Sequence, residues 1–370
     1  MNRLISKYNW QHKNWPSFDY NTEVVSEITP MISNYIGEMS GIMQSLTDKD
    51  QTETLIRLIT TEAISTSAIE GEILNKQDLM SSIKNNLGVN TKAESVKDKK
   101  AKAIAELMIS VRNEYSNKLT ITSIKKWHKL LFLNSQAINA GKWRSGKEPM
   151  QVVSGRIGKE IVHFEAPPSE RVAKEMKLFT EWYNAYKITD NMTNAIVKSA
   201  ITHLYFESIH PFEDGNGRIG RAIAEKCFSQ SLGRPVYLSL SSIIERNKKQ
   251  YYLALKEAQG SLHINNWIVY FANIILQSQK EAIRTAQFAL KKIIFLNNHA
   301  LNLNEREQKV VNKMLEAGLD GFEGGMTAKK YMKITKSSKA TATRDLQHLT
   351  ELGVFNSKGN GRNIHYELTI

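Results

Sequence analysis

Residues 210–221 read His-Pro-Phe-Glu-Asp-Gly-Asn-Gly-Arg-Ile-Gly-Arg, a glycine-rich turn between two segments of helical pattern. The turn leads into a helix start at Gly217, where free backbone N–H groups bind anionic oxygens. Arg218 and Arg221 follow at spacing i, i+3, so both project from one face of that helix. The stretch therefore predicts a helical protein with a phosphate-binding loop between two helices.

Two side chains of this stretch add reactive chemistry to the phosphate-binding loop. Asp214 offers a hard oxygen ligand suited to Mg²⁺ held between phosphates. His210 can accept a proton near neutral pH. Taken alone, the histidine is an ordinary helix end and the aspartate an ordinary turn acid. Their combination with the glycines and two arginines favours chemistry at a nucleoside triphosphate.

The stretch resembles the signature of Fic-family enzymes, HPFx[DE]GNGRxxR, and matches it at every fixed position. The resemblance implies transfer of AMP from ATP to a hydroxyl of a target protein. His210 would then be the general base as that hydroxyl attacks the α-phosphorus, and Asp214 would hold Mg²⁺ between the α- and β-phosphates. Doc-type relatives lack the Gly217-Arg218 ending and act as kinases, so the ending favours AMP transfer.

Other positions are expected to hold the nucleotide. Glycine N–H groups and the asparagine amide would stabilise phosphate oxygens, and two arginines would bind the β- and γ-phosphates with a fork that lysine lacks. The resemblance implies that two tyrosines on a following helix flank adenine, although such tyrosines are more often core residues. The expected nucleotide-binding residues are Gly215, Asn216, Gly217, Arg218, Arg221, Tyr251 and Tyr252.

A second segment, Ser-Thr-Ser-Ala-Ile-Glu-Gly-Glu at residues 65–72, lies far upstream. In a helix, Thr66 and Glu70 lie on one face at i, i+4. The segment resembles the autoinhibitory Fic motif [ST]xxxE[GN], which implies that Glu70 pairs with Arg221 and competes with the γ-phosphate for its guanidinium. The alternative is an ordinary helix end capped by Gly71. We expect Glu72 to face solvent.

Helical periodicity covers most of the chain, and the order of its segments resembles that of Fic proteins. We predict a mainly α fold, with a Fic-type helical core, a small β-hairpin flap and a winged helix-turn-helix. The expected regions are 1–100, an aromatic arm and helices with the inhibitory motif; 101–297, the catalytic core; and 298–370, the winged helix. Two further helices are expected at 241–259 and 264–297.

Two segments have a predicted role in binding partners. The hairpin at 149–164, here called the flap hairpin, would align a target peptide by β-augmentation, or would simply shield the core. The tail would bind DNA through basic residues of its helix and wing, or would serve as a partner-binding module that forms a homodimer. The basic residues concerned are Lys336, Lys339, Arg344, Lys358 and Arg362.

Composition limits the class of protein only broadly. The 370 residues carry a net charge of +13, which fits acidic partners such as nucleotides or nucleic acid and equally fits solvated lysine faces. The single cysteine, Cys227, excludes an intrachain disulfide and fits the reducing cytoplasm. We find no signal-peptide core and no apolar run of about 18 residues, so no membrane partner is expected.

The sequence thus predicts a protein adenylyltransferase that uses ATP and Mg²⁺, modifies a Ser, Thr or Tyr hydroxyl of a target or of itself, and is autoinhibited by Glu70. One alternative is a de-AMPylase with the same site, in which Glu70 positions water. The other is a DNA-binding regulator whose Fic core senses nucleotide. An intact His210 disfavours a core that only senses.

Overall fold

The computed structural model describes residues 7–89, 92–133, 138–154, 161–186 and 191–370, and most of them are helical. The predicted mainly α class is confirmed. The helices are α1 Ile28–Ser45, α2 Asp48–Ile69, α3 Lys76–Asn86, α4 Lys99–Asn113, α5 Ile121–Leu131, α6 Val172–Ala185, α7 Met192–Ile209, α8 Asn216–Ser231, α9 Leu240–Arg246, α10 Lys248–Gln259, α11 Asn265–His299, α12 Glu305–Leu315, α13 Ala328–Thr335 and α14 Lys339–Glu351. The strands are β1 Gln151–Ser154, β2 Ile161–Glu165, β3 Phe355–Lys358 and β4 His365–Leu368, paired as β1–β2 and β3–β4.

The chain divides into two compact units. Unit 1 contains the residues up to Gly41 together with Leu55–Ile283, and unit 2 contains Ile42–Thr54 together with Arg284–Ile370. This division differs from the three predicted regions, because the N-terminal arm and the predicted catalytic core fall in one unit. The predicted boundary at 297/298 lies inside the continuous helix α11.

Helix α7 is the central element of unit 1. Its residues from Ala195 to Ile209 are all buried. A helix without a polar face must be covered on every side, so other helices surround it. Polar side chains on α7 find partners in α8, as where Ser199 Oγ donates to the Ala224 carbonyl at 2.8 Å. This packing fixes the end of α7 against the start of α8, and the loop 210–215 joins them.

Aromatic residues attach the N-terminal arm to unit 1. The Trp10 indole N–H donates to the Glu165 carbonyl at 2.7 Å, at the end of β2. The Trp15 indole N–H donates to Glu175 Oε2 at 2.9 Å, and its ring meets Tyr205 edge-on at 5.1 Å. The arm therefore packs beside the flap hairpin and helices α6 and α7.

Unit 2 ends with three helices and a hairpin around one apolar core. That core takes buried side chains from α12, α13, α14 and β3, among them Val310, Tyr331 and Leu346. A polar contact crosses it: Arg306 donates to both Asp345 carboxylate oxygens, at 2.9 and 3.1 Å. The order of helix, helix, helix and antiparallel strand pair matches the sequence expectation for the tail.

One predicted element differs from the structure. The helix expected over 241–259 is interrupted at Asn247, whose φ of −125° and ψ of 38° separate α9 from α10. The tip of the flap hairpin, 155–160, lies outside the described residues. No helix within the described residues combines the length and the apolar character that a bilayer crossing requires.

Candidate active site

His210 forms the C-cap of α7 in an unusual backbone conformation. Its φ of 49° and ψ of 61° are left-handed, and its N–H donates to the Phe206 carbonyl at 3.0 Å. A non-glycine residue held there stores strain of about 1–3 kcal/mol, which the surroundings must over-determine. Burial, followed by the positive charge of Arg144, lowers the His210 pKa to about 4. The ring is therefore neutral near pH 7 and free to accept a proton.

The loop after His210 is closed by Asn216. The Asn216 amide accepts from the Phe212 N–H and donates to the Phe212 carbonyl, both at 2.9 Å, and the residue is buried. The amide therefore shapes the loop, and its expected contact with phosphate oxygens stays a prediction. The preceding Gly215 has φ 79°, and an added Cβ would lie 2.6 Å from Phe132 Cε2. The glycine is therefore required on grounds of both conformation and space.

His128 supports the loop from α5, and sequence reasoning missed it. Its Nδ1 accepts from the Gly141 N–H at 2.8 Å, so Nε2 carries the proton and donates to the Asp214 carbonyl at 3.1 Å. The ring stacks on Phe212 with a centroid separation of 3.8 Å. Burial lowers the His128 pKa to about 4, so this supporting contact stays neutral. A lone histidine in a helical pattern gave no signal of such a role.

Arg144 is the second residue that sequence reasoning missed. It is buried, and its Nε donates to the His210 carbonyl at 2.7 Å. Its backbone N–H donates to the Pro211 carbonyl at 3.0 Å. The neighbouring Trp143 ring lies 4.8 Å from the Phe212 ring. The segment Gly141-Lys142-Trp143-Arg144 therefore packs directly against the loop.

Glu70 meets Arg221, as the sequence predicted. Glu70 Oε1 accepts from Arg221 Nη2 at 2.9 Å, and the guanidinium also donates to the Thr66 side chain at 2.9 Å and its carbonyl at 3.0 Å. Burial alone would raise the Glu70 pKa, but the Arg221 charge and hydrogen bond bring it below its ordinary value. Burial opposes the charged form of Arg221, and Glu70 more than offsets this, so its pKa is raised. The pair is therefore ionised at neutral pH.

The Glu70 carboxylate also lies against the first turn of α8. A Cβ added at Gly217 would collide with Glu70 Oε1, which shows how closely the carboxylate approaches that backbone. Helix N-termini attract anions through free N–H groups and the helix dipole. The carboxylate thus occupies a place suited to an anionic ligand.

Arg218 is paired with Glu72, which corrects the expectation that Glu72 faces solvent. Arg218 Nη1 donates to Glu72 Oε2 at 2.6 Å, while Glu72 Oε1 accepts from Lys100 at 2.9 Å. The Arg218 side chain is only 4% exposed, and among the described residues its Nε has no hydrogen-bond partner. The contact arises because Gly71, with φ 79°, reverses the chain after α2. The buried Nε of Arg218 is therefore left without a hydrogen-bond partner by the described residues.

Asp214 is the one predicted metal ligand, and its geometry fits a shared site. Its side chain is 53% exposed, and its Oδ1 lies 3.6 Å from Arg218 Nη2. Within the described ranges, no group of three or more His, Cys, Asp or Glu side chains is arranged to hold a metal. A hard carboxylate beside a phosphate-binding loop suits Mg²⁺ that takes its remaining ligands from phosphates and water.

The two predicted adenine-contacting tyrosines have different environments. Tyr251 is buried, and its hydroxyl lies 2.8 Å from His203 Nε2, so its ring belongs to the core of unit 1. The expected adenine contact of Tyr251 is therefore corrected to a packing role. Tyr252 is 38% exposed, and Lys248 Nζ lies 5.9 Å from its ring centroid. Only Tyr252 keeps an accessible ring face.

The flap hairpin is antiparallel, with Gln151 opposite Glu165 and Val152 opposite Phe164. The register shifts between Val152 and Val153, a bulge that bends the strand pair. Phe164 is buried and meets the Tyr8 ring edge-on at 5.1 Å, so the base of the hairpin is anchored in unit 1.

Comparison with known proteins identifies the family. Residues 118–227 match the Fic/DOC family, and residues 8–89 match a domain of unknown function, DUF4172. A Fido domain-containing protein of Dictyostelium discoideum is 39% identical over 110 residues, which is 30% of this chain and 72% of that protein. The chain therefore belongs to the Fic/DOC family.

This chain covers a smaller share of the relatives whose names state an activity. The protein adenylyltransferase fic-1 of Caenorhabditis briggsae is 26% identical over 219 residues, covering 57% of this chain and 38% of that protein. A probable protein adenylyltransferase of Aquifex aeolicus is 33% identical over 96 residues, covering 26% of this chain and 27% of that protein. The chain thus spans less than two thirds of these relatives.

Solved structures share the fold. A Fic family protein from Desulfovibrio desulfuricans G20 has a TM-score of 0.50 at 20% identity and covers 92% of this chain and 96% of its own. A Fic domain-containing signaling protein from Bacteroides thetaiotaomicron has a TM-score of 0.53 at 20% identity, with 70% and 97% covered. At this identity the likeness concerns the fold alone.

Proposed function

We propose that the chain is a protein adenylyltransferase that transfers AMP from ATP to a Ser, Thr or Tyr hydroxyl of a target protein or of itself. The observation that carries the proposal is the neutral, strained His210 next to a helix N-terminus that presents Arg218 and Arg221. Membership of the Fic/DOC family and the adenylyltransferase names of its relatives support it. The cytoplasmic location expected from the single cysteine remains a prediction.

The reaction needs a base, a phosphate-binding surface and a leaving group. His210 would take the proton of the acceptor hydroxyl while that oxygen forms a bond to the α-phosphorus. The bond from the α-phosphorus to the bridging oxygen breaks, and pyrophosphate leaves with the electron pair. The α8 N-terminus and the arginines would hold the phosphates, and Asp214 would hold Mg²⁺, which supplies charge neutralisation when bound. Tyr252 would border adenine, and the flap hairpin would dock the target.

We further propose that the site as seen is self-inhibited by two carboxylates. Glu70 on Arg221 and Glu72 on Arg218 each occupy a donor that a phosphate oxygen would need. A carboxylate and a phosphate compete for the same guanidinium, so bound ATP and both ion pairs exclude each other. Lys100 holds the second oxygen of Glu72, but it is exposed and contributes little.

Incubation with α-labelled ATP tests the proposal. The Glu70→Gly chain should label itself and lysate proteins more strongly than wild type. The Glu72→Gln chain should show a smaller increase in labelling over wild type. Label that appears only with γ-labelled ATP would indicate a kinase. Loss of label from a premodified chain, accelerated by intact Glu70, would identify the de-AMPylase alternative instead.

A second candidate function concerns the tail of unit 2. Three basic side chains of the tail are exposed: Lys336 caps the C-terminus of α13, and Lys339 and Arg344 lie on α14. Exposed cations on the second helix of a helix pair are typical of DNA binding. Full-length chain should bind duplex DNA with an affinity that falls steeply with salt, and Lys339→Glu with Arg344→Glu should abolish it. If the double variant binds DNA as tightly as wild type, partner binding or dimerisation would remain as the role of the tail.

A further inference from the structure

Arg144 contacts three consecutive residues around His210. Its Nε donates to the His210 carbonyl at 2.7 Å, its Nη2 to the Ile209 carbonyl at 3.2 Å, and its backbone N–H to the Pro211 carbonyl at 3.0 Å. These residues end α7 and contain the left-handed turn. A buried guanidinium with this many acceptors fixes the geometry of the turn, because every displaced carbonyl would lose a charge-assisted bond.

The same guanidinium reaches the segment that follows the flap hairpin. Nη2 donates to the Pro167 carbonyl at 2.5 Å, and Nη1 donates to Ser169 Oγ at 3.0 Å. Pro167 comes two residues after Glu165, the last residue of β2. One side chain therefore joins the base of the flap hairpin to the turn that carries His210. Lysine could not make these contacts, because it lacks the planar fork.

We propose that Arg144 is the positioning residue of the site: it holds His210 in its left-handed conformation and sets the imidazole against the flap hairpin on which a target would dock. The expected effect of Arg144 on AMP transfer rests on the proposed function, whereas its effect on the geometry of the turn does not. Arg144 holds backbone atoms and does not touch the reacting groups, so it acts through His210.

The charge of Arg144 has a second consequence for the base. Burial lowers the pKa of Arg144 to about 10, so its guanidinium remains charged at neutral pH. After burial, that charge is the largest cause that lowers the His210 pKa to about 4. A backbone hydrogen bond at Glu207 and the negative charges of Glu70 and Asp214 oppose it. The Glu207 carboxyl, whose Oε2 lies 3.9 Å from His210 Nδ1, adds no charge at neutral pH, because burial raises its pKa to about 8. Removal of the Arg144 charge should therefore raise the His210 pKa above about 4, and burial, the larger cause, should keep it below the ordinary 6.5.

Two variants separate the fork from the charge. Arg144→Lys keeps the charge and loses the fork, whereas Arg144→Met loses both. The first readout is the pH titration of histidine ring signals by NMR in the nucleotide-free full chain, with His210 assigned through His210→Ala. The wild-type and Arg144→Lys signals should not titrate between pH 8 and 5.5, and the Arg144→Met signal should titrate at a higher pH than the wild-type signal. This readout needs no enzymatic activity, so it stands even if the proposed transfer fails.

The second readout is self-labelling in the Glu70→Gly background. Both variants should lower kcat by about a hundredfold, the loss expected for a base displaced by roughly 1 Å, and leave the KM for ATP nearly unchanged. The control is Arg112→Lys, since Arg112 also donates to a backbone carbonyl of unit 1, that of Val236 at 3.2 Å. It should lower the melting temperature without moving His210.

Three results would overturn the proposal. If the wild-type His210 ring titrates near pH 6.5, the Arg144 charge does not lower its pKa, and this measurement needs no folded Arg144 variant. An unchanged kcat in folded Arg144→Lys would show that the guanidinium fork does not position His210. A raised KM for ATP with unchanged kcat would assign Arg144 to nucleotide binding.

Discussion

Replacement of Glu70 by glycine should relieve the inhibition of the site. The contacts of Glu70 indicate how large the rise in labelling should be. Glu70 Oε1 and Arg221 Nη2 are 2.9 Å apart, and Arg221 is 2% exposed. A charge-assisted hydrogen bond of this kind contributes about 1.5–3 kcal/mol. Because 26% of the Glu70 side chain is exposed, solvent screening favours the lower end of that range.

At about 1.4 kcal/mol per factor of ten, loss of the pair should raise the open fraction of sites about tenfold. We expect self-labelling with α-labelled ATP to rise by the same factor in Glu70→Gly. Glu70→Gln should give an intermediate rate, since a neutral amide retains a weaker bond to Arg221. The gain should disappear in the Glu70→Gly, His210→Ala double variant, because labelling still requires His210 as the base.

The matched control is Glu114→Gly. Glu114 also follows the last residue of a helix, α4, and pairs with a cation, Lys126, at 2.6 Å. It lies outside the site, so its replacement should not alter labelling. A wild-type chain as active as Glu70→Gly would refute the inhibitory role of Glu70. A gain that survives in the His210→Ala background would instead refute the role of His210 as the base.

Three further predictions concern the loop. His210→Ala should reduce labelling by roughly 10²–10⁴-fold while calorimetric ATP affinity is kept, and substantial residual labelling would remove His210 from the mechanism. Arg218→Ala should weaken Mg–ATP binding, and Arg218→Lys should restore it only in part; full rescue by lysine would show that Arg218 acts as a point charge. Asn216→Ala should lower the free energy of unfolding by about 1–3 kcal/mol in urea melts, because it leaves the Phe212 backbone unpaired; an unchanged midpoint would contradict that role.

The pH dependence that follows from Glu70 and His210 can be stated with its sign. Glu70 has a lowered pKa in the folded chain, so its ion pair is fully present above the ordinary value of 4.5 and is lost only in stronger acid. His210, with a pKa of about 4, stays unprotonated down to about pH 5. Labelling by Glu70→Gly should therefore be flat from pH 8 to 5.5, and an acid limb near 6.5 would contradict the buried state of His210.

Much of the fold could be predicted from the sequence because its signals are local. Helical periodicity is read within one segment, and the central helix α7 is buried on every side because its sequence has no polar face. The contact of Glu70 with Arg221 was also predictable, since a motif match places two named residues together. The break at Asn247 between α9 and α10 was not, because helical periodicity alone gave no signal of where it would fall.

The supporting contacts of the site could not be predicted, because they depend on which segments meet in three dimensions. Arg144 and His128 act on backbone carbonyls, and a carbonyl gives no signal in a sequence. Asn216 was assigned to phosphate because its amide fits that role equally well. Both backbone groups of Phe212 bond to it in the structure, so the amide shapes the loop, and its contact with phosphate stays a prediction.

The contact of Glu72 shows most clearly how a turn changes an assignment. A continued helix would carry Glu70 and Glu72 on different faces. Helix α2 ends at Ile69, however, and the Gly71 N–H donates to the Ala68 carbonyl at 3.0 Å while the Glu72 N–H donates to the Ser67 carbonyl at 2.9 Å. This Schellman turn brings both acids to one side of the chain. Arg218 and Arg221 lie one turn apart on α8, so one reversed helix end can neutralise both arginines. In the proposed function, a triphosphate would therefore have to displace both carboxylates to bind.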